Sequence, residues 1–110
     1  MKRIVYNKLV RDRIPEIIEQ SGKRCTTEIL DDEAYLWYID EKLSEELSEY
    51  RRDKNLEELA DLLEVLYAAA EARGYTLAQL EEVRAKKATE RGAFARKILL
   101  CEVFEETDEK

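Results

Sequence analysis

Histidine is absent from this 110-residue chain, which removes the usual proton shuttle and the commonest zinc or iron ligand. Acid–base chemistry would therefore fall to carboxylates and to metal-bound water. Only three glycines and one proline are present, a scarcity that suits helices better than turn-rich sheets. The two cysteines, Cys25 and Cys101, lack Cys-x-x-Cys spacing and read as two buried thiols rather than a disulfide. No apolar run approaches the length that spans a bilayer, and Met1-Lys2-Arg3 is not followed by a signal-type hydrophobic stretch. The expected location is therefore the cytoplasm. Basic residues are outnumbered, 19 against 26 acidic, for a net charge of -7. Such a surface repels nucleic acid and anionic membrane, and an anionic substrate would need a local basic patch or a bound metal.

The chain is long enough for one domain with one modest core. Asp12 reads as the N-cap of a first helix with Pro15 in its first turn, ending near Ser21-Gly22,. Asp31-Asp32 can cap a long helix from Glu33 to Arg52, and Asn55 a third from Leu56 to Arg73, stopped by Gly74,. Thr76 followed by Gln79 is a capping-box signature for a fourth, ending near Gly92,. Two segments read as strands that could pair, Arg24 to Leu30 and Lys97 to Val103, and the end from Glu105 reads as a frayed acidic tail,. The expected fold is mainly α: a four-helix bundle-like domain with a small two-stranded β edge.

Against this background one pattern stands out. Glu46-x-x-Glu49 and Glu58-x-x-Asp61 are two i, i+3 acidic pairs placed symmetrically about Asp53 and Lys54. If the chain reverses there, Glu46 comes level with Asp61 and Glu49 with Glu58, so four carboxylates converge on one volume. On a helical wheel Glu46 lies within about 60° of Ile39, Leu43 and Tyr50, the apolar stripe of its helix. Glu58 falls between Leu62 and Val65 and beneath Ala69, again inside the stripe, whereas Glu41, Glu57 and Glu64 point away. Carboxylates in a helix interface repel one another unless a cation sits among them. Mg²⁺ suits such a set, being a hard ion that prefers carboxylate oxygen, with Mn²⁺ as a substitute. The plainer reading is structural: Glu58 can complete a cap with Asn55, and Glu46 and Glu49 can pair with Lys42 or Arg52.

Glu45-Glu46-x-x-Glu49 followed by Glu58-x-x-Asp61 resembles the EExxE and ExxD motif pair of the all-α MazG-like nucleoside triphosphate pyrophosphohydrolases. The stretches Tyr6-Asn7-Lys8-Leu9-Val10-Arg11-Asp12-Arg13-Ile14-Pro15 and Lys86-Lys87-x-x-x-Arg91-Gly92-x-Phe94 are similar to the phosphoribosyl-ATP pyrophosphohydrolase-like subgroup. The resemblance implies Mg²⁺-dependent hydrolysis between the α and β phosphates of a nucleotide, giving a nucleoside monophosphate and pyrophosphate. Clearing of non-standard or surplus nucleotides is the expected role. Glu46, Glu49, Glu58 and Asp61 would be metal ligands and Glu45 a second-sphere group or the base orienting the attacking water. Lys8, Arg11, Asp12, Lys86, Arg91 and Phe94 are the candidate substrate-binding residues, the cations as phosphate clamps. Lys86 and Lys87 serve equally well as compensation for the dipole of the fourth helix, and Phe94 could simply pack in a core. Tyr35, Trp37 and Tyr38 read as core or interface residues more readily than as base-stacking ones. Family members assemble their sites from two chains, which implies a homodimer. The short stretch between the motifs, Tyr50 to Glu57, is a departure from the family pattern that leaves a tight hairpin and little room for an inserted substrate-binding segment.

Two other readings stand beside this one. A non-catalytic helical interaction module could keep the carboxylates as a structural metal or salt-bridge site. A carboxylate-bridged di-iron bundle is disfavoured, because such sites use Glu-x-x-His and the chain has no histidine.

Overall fold

A computed structural model describes residues 2–107. The chain is mainly α, with four helices among the described residues: α1 (Ile14–Gln20), α2 (Asp32–Asp53), α3 (Leu56–Ala72) and α4 (Leu77–Arg91). The caps explain where the longer helices begin. The Asp31 side chain accepts from the Ala34 amide, and Asn55 Oδ1 accepts from the Glu58 amide at 2.9 Å. Thr76 and Gln79 exchange both bonds of a capping box, at 2.8 and 3.0 Å, which satisfies two of the donors a helix start leaves open. α1 departs from expectation: its N-cap is Arg13, whose side chain makes no capping bond, and Asp12 lies outside the helix and exposed. Pro15 in the first turn starts α1 without an acidic cap, because its fixed φ is already helical.

The two expected strands do not form. Residues 24–30 and 97–103 are irregular among the described residues, and Ile29, Ile98 and Leu99 are exposed. Neither segment is covered by a helix, and two short strands with no buried face have little to hold them. Cys25 is half-buried and Cys101 exposed, both as free thiols, so the expectation of two buried thiols fails at Cys101. Of the expected frayed tail, residues 108–110 lie outside the described residues. No described helix is long and apolar enough to cross a membrane.

The site depends on the reversal between α2 and α3. Lys54 adopts the left-handed conformation, with φ 50° and ψ 38°, and its amide donates to the Tyr50 carbonyl at 2.7 Å. Asn55 then caps α3 at once, so two residues turn the chain and α2 packs along α3. α4 packs more lightly on α3, and α1 packs on no other helix. Among the described residues the buried apolar ones are Ile39 on α2 and Val65 on α3. Ile39 stands seven residues before Glu46 and Val65 seven after Glu58, so on each helix the apolar residue and the carboxylate share a face.

Candidate metal centre

Glu46 is 6% exposed, the single buried charged residue among those described. Its position on the apolar stripe of α2 puts it there. Carboxylate oxygens of Glu45, Glu46 and Glu49 lie within 4.8 Å of one another, as do those of Glu46, Glu58 and Asp61. Glu46 belongs to both groups, so the hairpin joins i, i+1, i+4 acids on α2 to an i, i+3 pair on α3 through one buried side chain. Asp61 and Glu58 are half-buried, as are Glu45 and Glu49, while Glu41, Glu57 and Glu64 are exposed.

Three cations already meet this cluster. Lys42 Nζ lies 3.2 Å from Glu45 Oε2 and 3.4 Å from Glu46 Oε1. Lys8 Nζ donates to Glu45 Oε1 at 3.1 Å, and Arg11 Nη2 donates to Asp61 Oδ1 at 2.6 Å. Even so, Glu46 Oε2 and Glu58 Oε2 are buried with no hydrogen-bond partner. Buried carboxylate oxygens in that state are costly. The cap reading of Glu58 is thereby limited: its amide is capped by Asn55, but its carboxylate is not spent on the cap.

The charges respond accordingly. Burial, with Glu49 and Asp61 nearby and only partial relief from Lys42, raises the Glu46 carboxyl above its ordinary range. Desolvation and then the neighbouring Glu49, Asp61, Asp53 and Glu46 raise Glu58 as well. Glu45 moves the other way. Partial burial pushes it up, but the hydrogen bonds from Lys8 and Lys42 together outweigh this and hold it below the usual carboxylate range. The bond to Glu45 in turn raises Lys8. Two oxygen-rich groups of ligands, orphaned buried oxygens and raised carboxyls fit a hard divalent cation, which prefers oxygen and neutralises such repulsion.

Beside the carboxylates lies a half-open pocket of about 220 Å³ lined by residues including Lys8, Leu9, Trp37, Tyr38, Lys42 and Glu45. Trp37 and Tyr38 meet edge to face at 4.8 Å, and Trp37 remains 60% exposed. The core or interface burial expected of Trp37 is not met within one chain. The pocket could not be read from sequence, because Leu9 and Trp37 are brought together only when the segment before α1 lies over α2.

Of the candidate substrate-binding residues, Lys8 and Arg11 reach the cluster. Asp12, Lys86, Arg91 and Phe94 are exposed, and among the described residues no hydrogen bond or ion pair joins them to it. Leu77, Leu80, Glu81 and Arg84 in the first turns of α4 line an apolar cleft with Leu66 and Tyr67 of α3.

No family model matches the chain. No solved structure matches it either. An uncharacterized protein of Mycolicibacterium smegmatis is 47% identical over 53 residues, a match covering 44% of this chain and 54% of that protein. The chain thus spans about half the length of the curated relative it matches.

Proposed function

We propose that the chain is a Mg²⁺-dependent nucleotide pyrophosphohydrolase that cleaves between the α and β phosphates, releasing a nucleoside monophosphate and pyrophosphate. The observation that carries this reading is Glu46, buried, shared by two carboxylate groups and left with an unpartnered oxygen. Glu46, Glu49, Glu58 and Asp61 would hold the ion, with Mn²⁺ as a substitute. The ion supplies charge neutralisation to the phosphates and acidifies water. Glu45, paired with Lys42 on its own helix, suits orienting the attacking water. Cytoplasmic clearing of non-standard or surplus nucleotides is the role proposed.

A second copy of the chain is part of this proposal. The single chain exposes 10755 Å², roughly 4,400 Å² more than the ~6,300 Å² of a compact monomer of this mass. Its radius of gyration is 20.2 Å, against about 13 Å for a compact chain of this length. The extended segments outside the helices account for part of the excess. Another part is an apolar stripe on α3, Leu56, Leu59 and Leu63 with Leu66 at the edge of the α4 contact, from 44% to 80% exposed. An obligate homodimer, which buries on the order of 2,000–5,000 Å², accommodates such a surface. It would also offer a second copy of Lys86, Arg91 and Phe94, which within one chain make no contact with the cluster.

One observation favours the rival reading of a non-catalytic module: Lys8, Lys42 and Arg11 already offset much of the cluster's charge. Titration calorimetry with Mg²⁺ and a pyrophosphate-release assay over canonical, deoxy and damaged nucleoside triphosphates separate the two. Metal binding with release of pyrophosphate from at least one nucleotide supports the enzyme. Metal binding without turnover of any of them supports the module.

A further inference from the structure

The cations at the cluster differ in how they are held. Lys42 belongs to α2 itself, is only 15% exposed at its side chain and pairs with Glu45 and Glu46 one turn ahead on its own helix. Lys8 and Arg11 come from the irregular residues 2–13 and contact partners 37 and 50 residues further along the chain. One ties the segment to Glu45 on α2, the other to Asp61 on α3, so the segment straps the two helices that carry the carboxylates. Little else fastens it: Leu9 is half-buried, while Tyr6 and Val10 are exposed. Among the described residues no backbone hydrogen bond joins it to α2 or α3.

Building on the metal-centre reading above, we propose that Lys8 and Arg11 are exchangeable counterions. In the metal-free chain they occupy Glu45 and Asp61. A divalent cation among Glu46, Glu58 and Asp61 takes the Asp61 carboxylate from Arg11, the strap loosens, and the freed side chains then close on the phosphates of the substrate.

Two features favour exchange over a fixed clasp. The Arg11–Asp61 pair is open to solvent, with the Arg11 side chain 58% and that of half-buried Asp61 41% exposed, and such pairs hold weakly. The buried oxygens of Glu46 and Glu58 have no partner at all, so an ion entering beside Asp61 gains contacts that Arg11 does not make. Arg11 also has the planar fork that grips two phosphate oxygens at once, a geometry an ammonium cannot copy.

The chain's one tryptophan makes this measurable. Trp37 lines the pocket under Asn7, Lys8 and Leu9, so its fluorescence senses the strap. Mg²⁺ titration of the full chain, followed by calorimetry, Trp37 emission and hydrogen exchange of residues 2–13, is the experiment, with inorganic pyrophosphate added second. Mg²⁺ should shift the emission and speed exchange across the strap, and pyrophosphate should reverse both. Arg11→Ala should bind Mg²⁺ up to about fivefold more tightly, since competition for Asp61 is gone. The same variant should bind pyrophosphate roughly tenfold or more weakly in its Mg²⁺ form, and Arg11→Lys should restore the weaker Mg²⁺ affinity but not the pyrophosphate affinity. Mg²⁺ binding heat with an unmoved strap would overturn the exchange while sparing the metal centre. Absence of Mg²⁺ heat in both the parent and Arg11→Ala would overturn both.

Discussion

Glu46 on α2 and Glu58 on α3 face each other across the hairpin, with carboxylate oxygens within 4.8 Å and one buried oxygen apiece left without a partner. Neither oxygen can reach water freely, and each carboxyl is raised by burial and by the charges around it. The fold thus holds its most unfavourable charges where a cation would relieve them.

Replacing one of the pair should separate stability from function. Glu46→Gln removes a charge from the repelling cluster, so the metal-free protein should gain on the order of 1 kcal/mol, a few degrees in Tm. The same variant should lose Mg²⁺ binding and all pyrophosphate release. Calorimetric melting in chelator and the release assay check the two halves. A variant that turns over nucleotide at the parent rate removes Glu46 from the site.

The pH dependence has a definite sign. Glu46 and Glu58 titrate higher in the fold than in the unfolded chain, so the folded state binds more protons in the interval between. Stability of the metal-free protein therefore falls as pH rises through that interval and returns on mild acidification. Glu45 and Glu81 are lowered instead, Glu81 chiefly by the hydrogen bond from Arg84. Their stabilisation is present above the ordinary carboxylate value and is lost as pH falls through their folded values. A melting series in chelator should pass through a maximum in the mildly acid range, and Glu46→Gln should flatten its neutral side.

Lys54 turns the hairpin with a positive φ, which is unfavourable for a residue bearing a Cβ,. Lys54→Gly should leave Mg²⁺ binding intact and raise stability by roughly 0.5–1 kcal/mol. Lys54→Pro cannot adopt φ 50° and lacks the amide that bonds Tyr50, so it should lose the reversal, the helical signal and Mg²⁺ binding together. Circular dichroism alongside calorimetry distinguishes these outcomes. Equal behaviour of the two variants would mean that the turn does not position the site.

The helices and the hairpin are legible in the sequence because local chemistry decides them: Asp31, Asn55 and Thr76 each cap the helix that starts beside them, and nothing distant competes. The burial of Glu46 is legible from the wheel for the same reason. The strands are not, because alternation around Cys25, Thr27 and Ile29 describes a half-buried surface, and no described helix packs over Ile29, which stays exposed. Asp12 resembles a cap by residue type, but Pro15 starts the helix one residue later. Lys8 and Arg11 are legible as phosphate-binding candidates. Their pairing with Glu45 and Asp61 is not, since it depends on how an irregular segment crosses two helices.

Acidic residues off the site provide the control. Glu57 and Glu64 are exposed and belong to neither carboxylate group. Glu57→Gln and Glu64→Gln should each change stability by less than about 0.5 kcal/mol and leave Mg²⁺ affinity unaltered. If either weakens Mg²⁺ binding as strongly as Glu46→Gln does, diffuse negative charge rather than a defined centre attracts the ion.

The apolar stripe of α3 gives the assembly its test. Leu59, Leu63 and Leu66 recur at helical spacing, and each is 44–46% exposed in the single chain. A face of that kind is stable in water when a partner covers it. The chain should sediment as a dimer at micromolar concentration, and its Tm should rise with concentration, because the partner binds only the folded form. Leu63→Glu places a charge in the middle of the stripe, so it should produce a monomer and lower the Tm through loss of the partner. Sedimentation and light scattering read the mass directly. A parent chain that is monomeric at micromolar concentration, with a Tm independent of dilution, would leave the stripe without its proposed occupant.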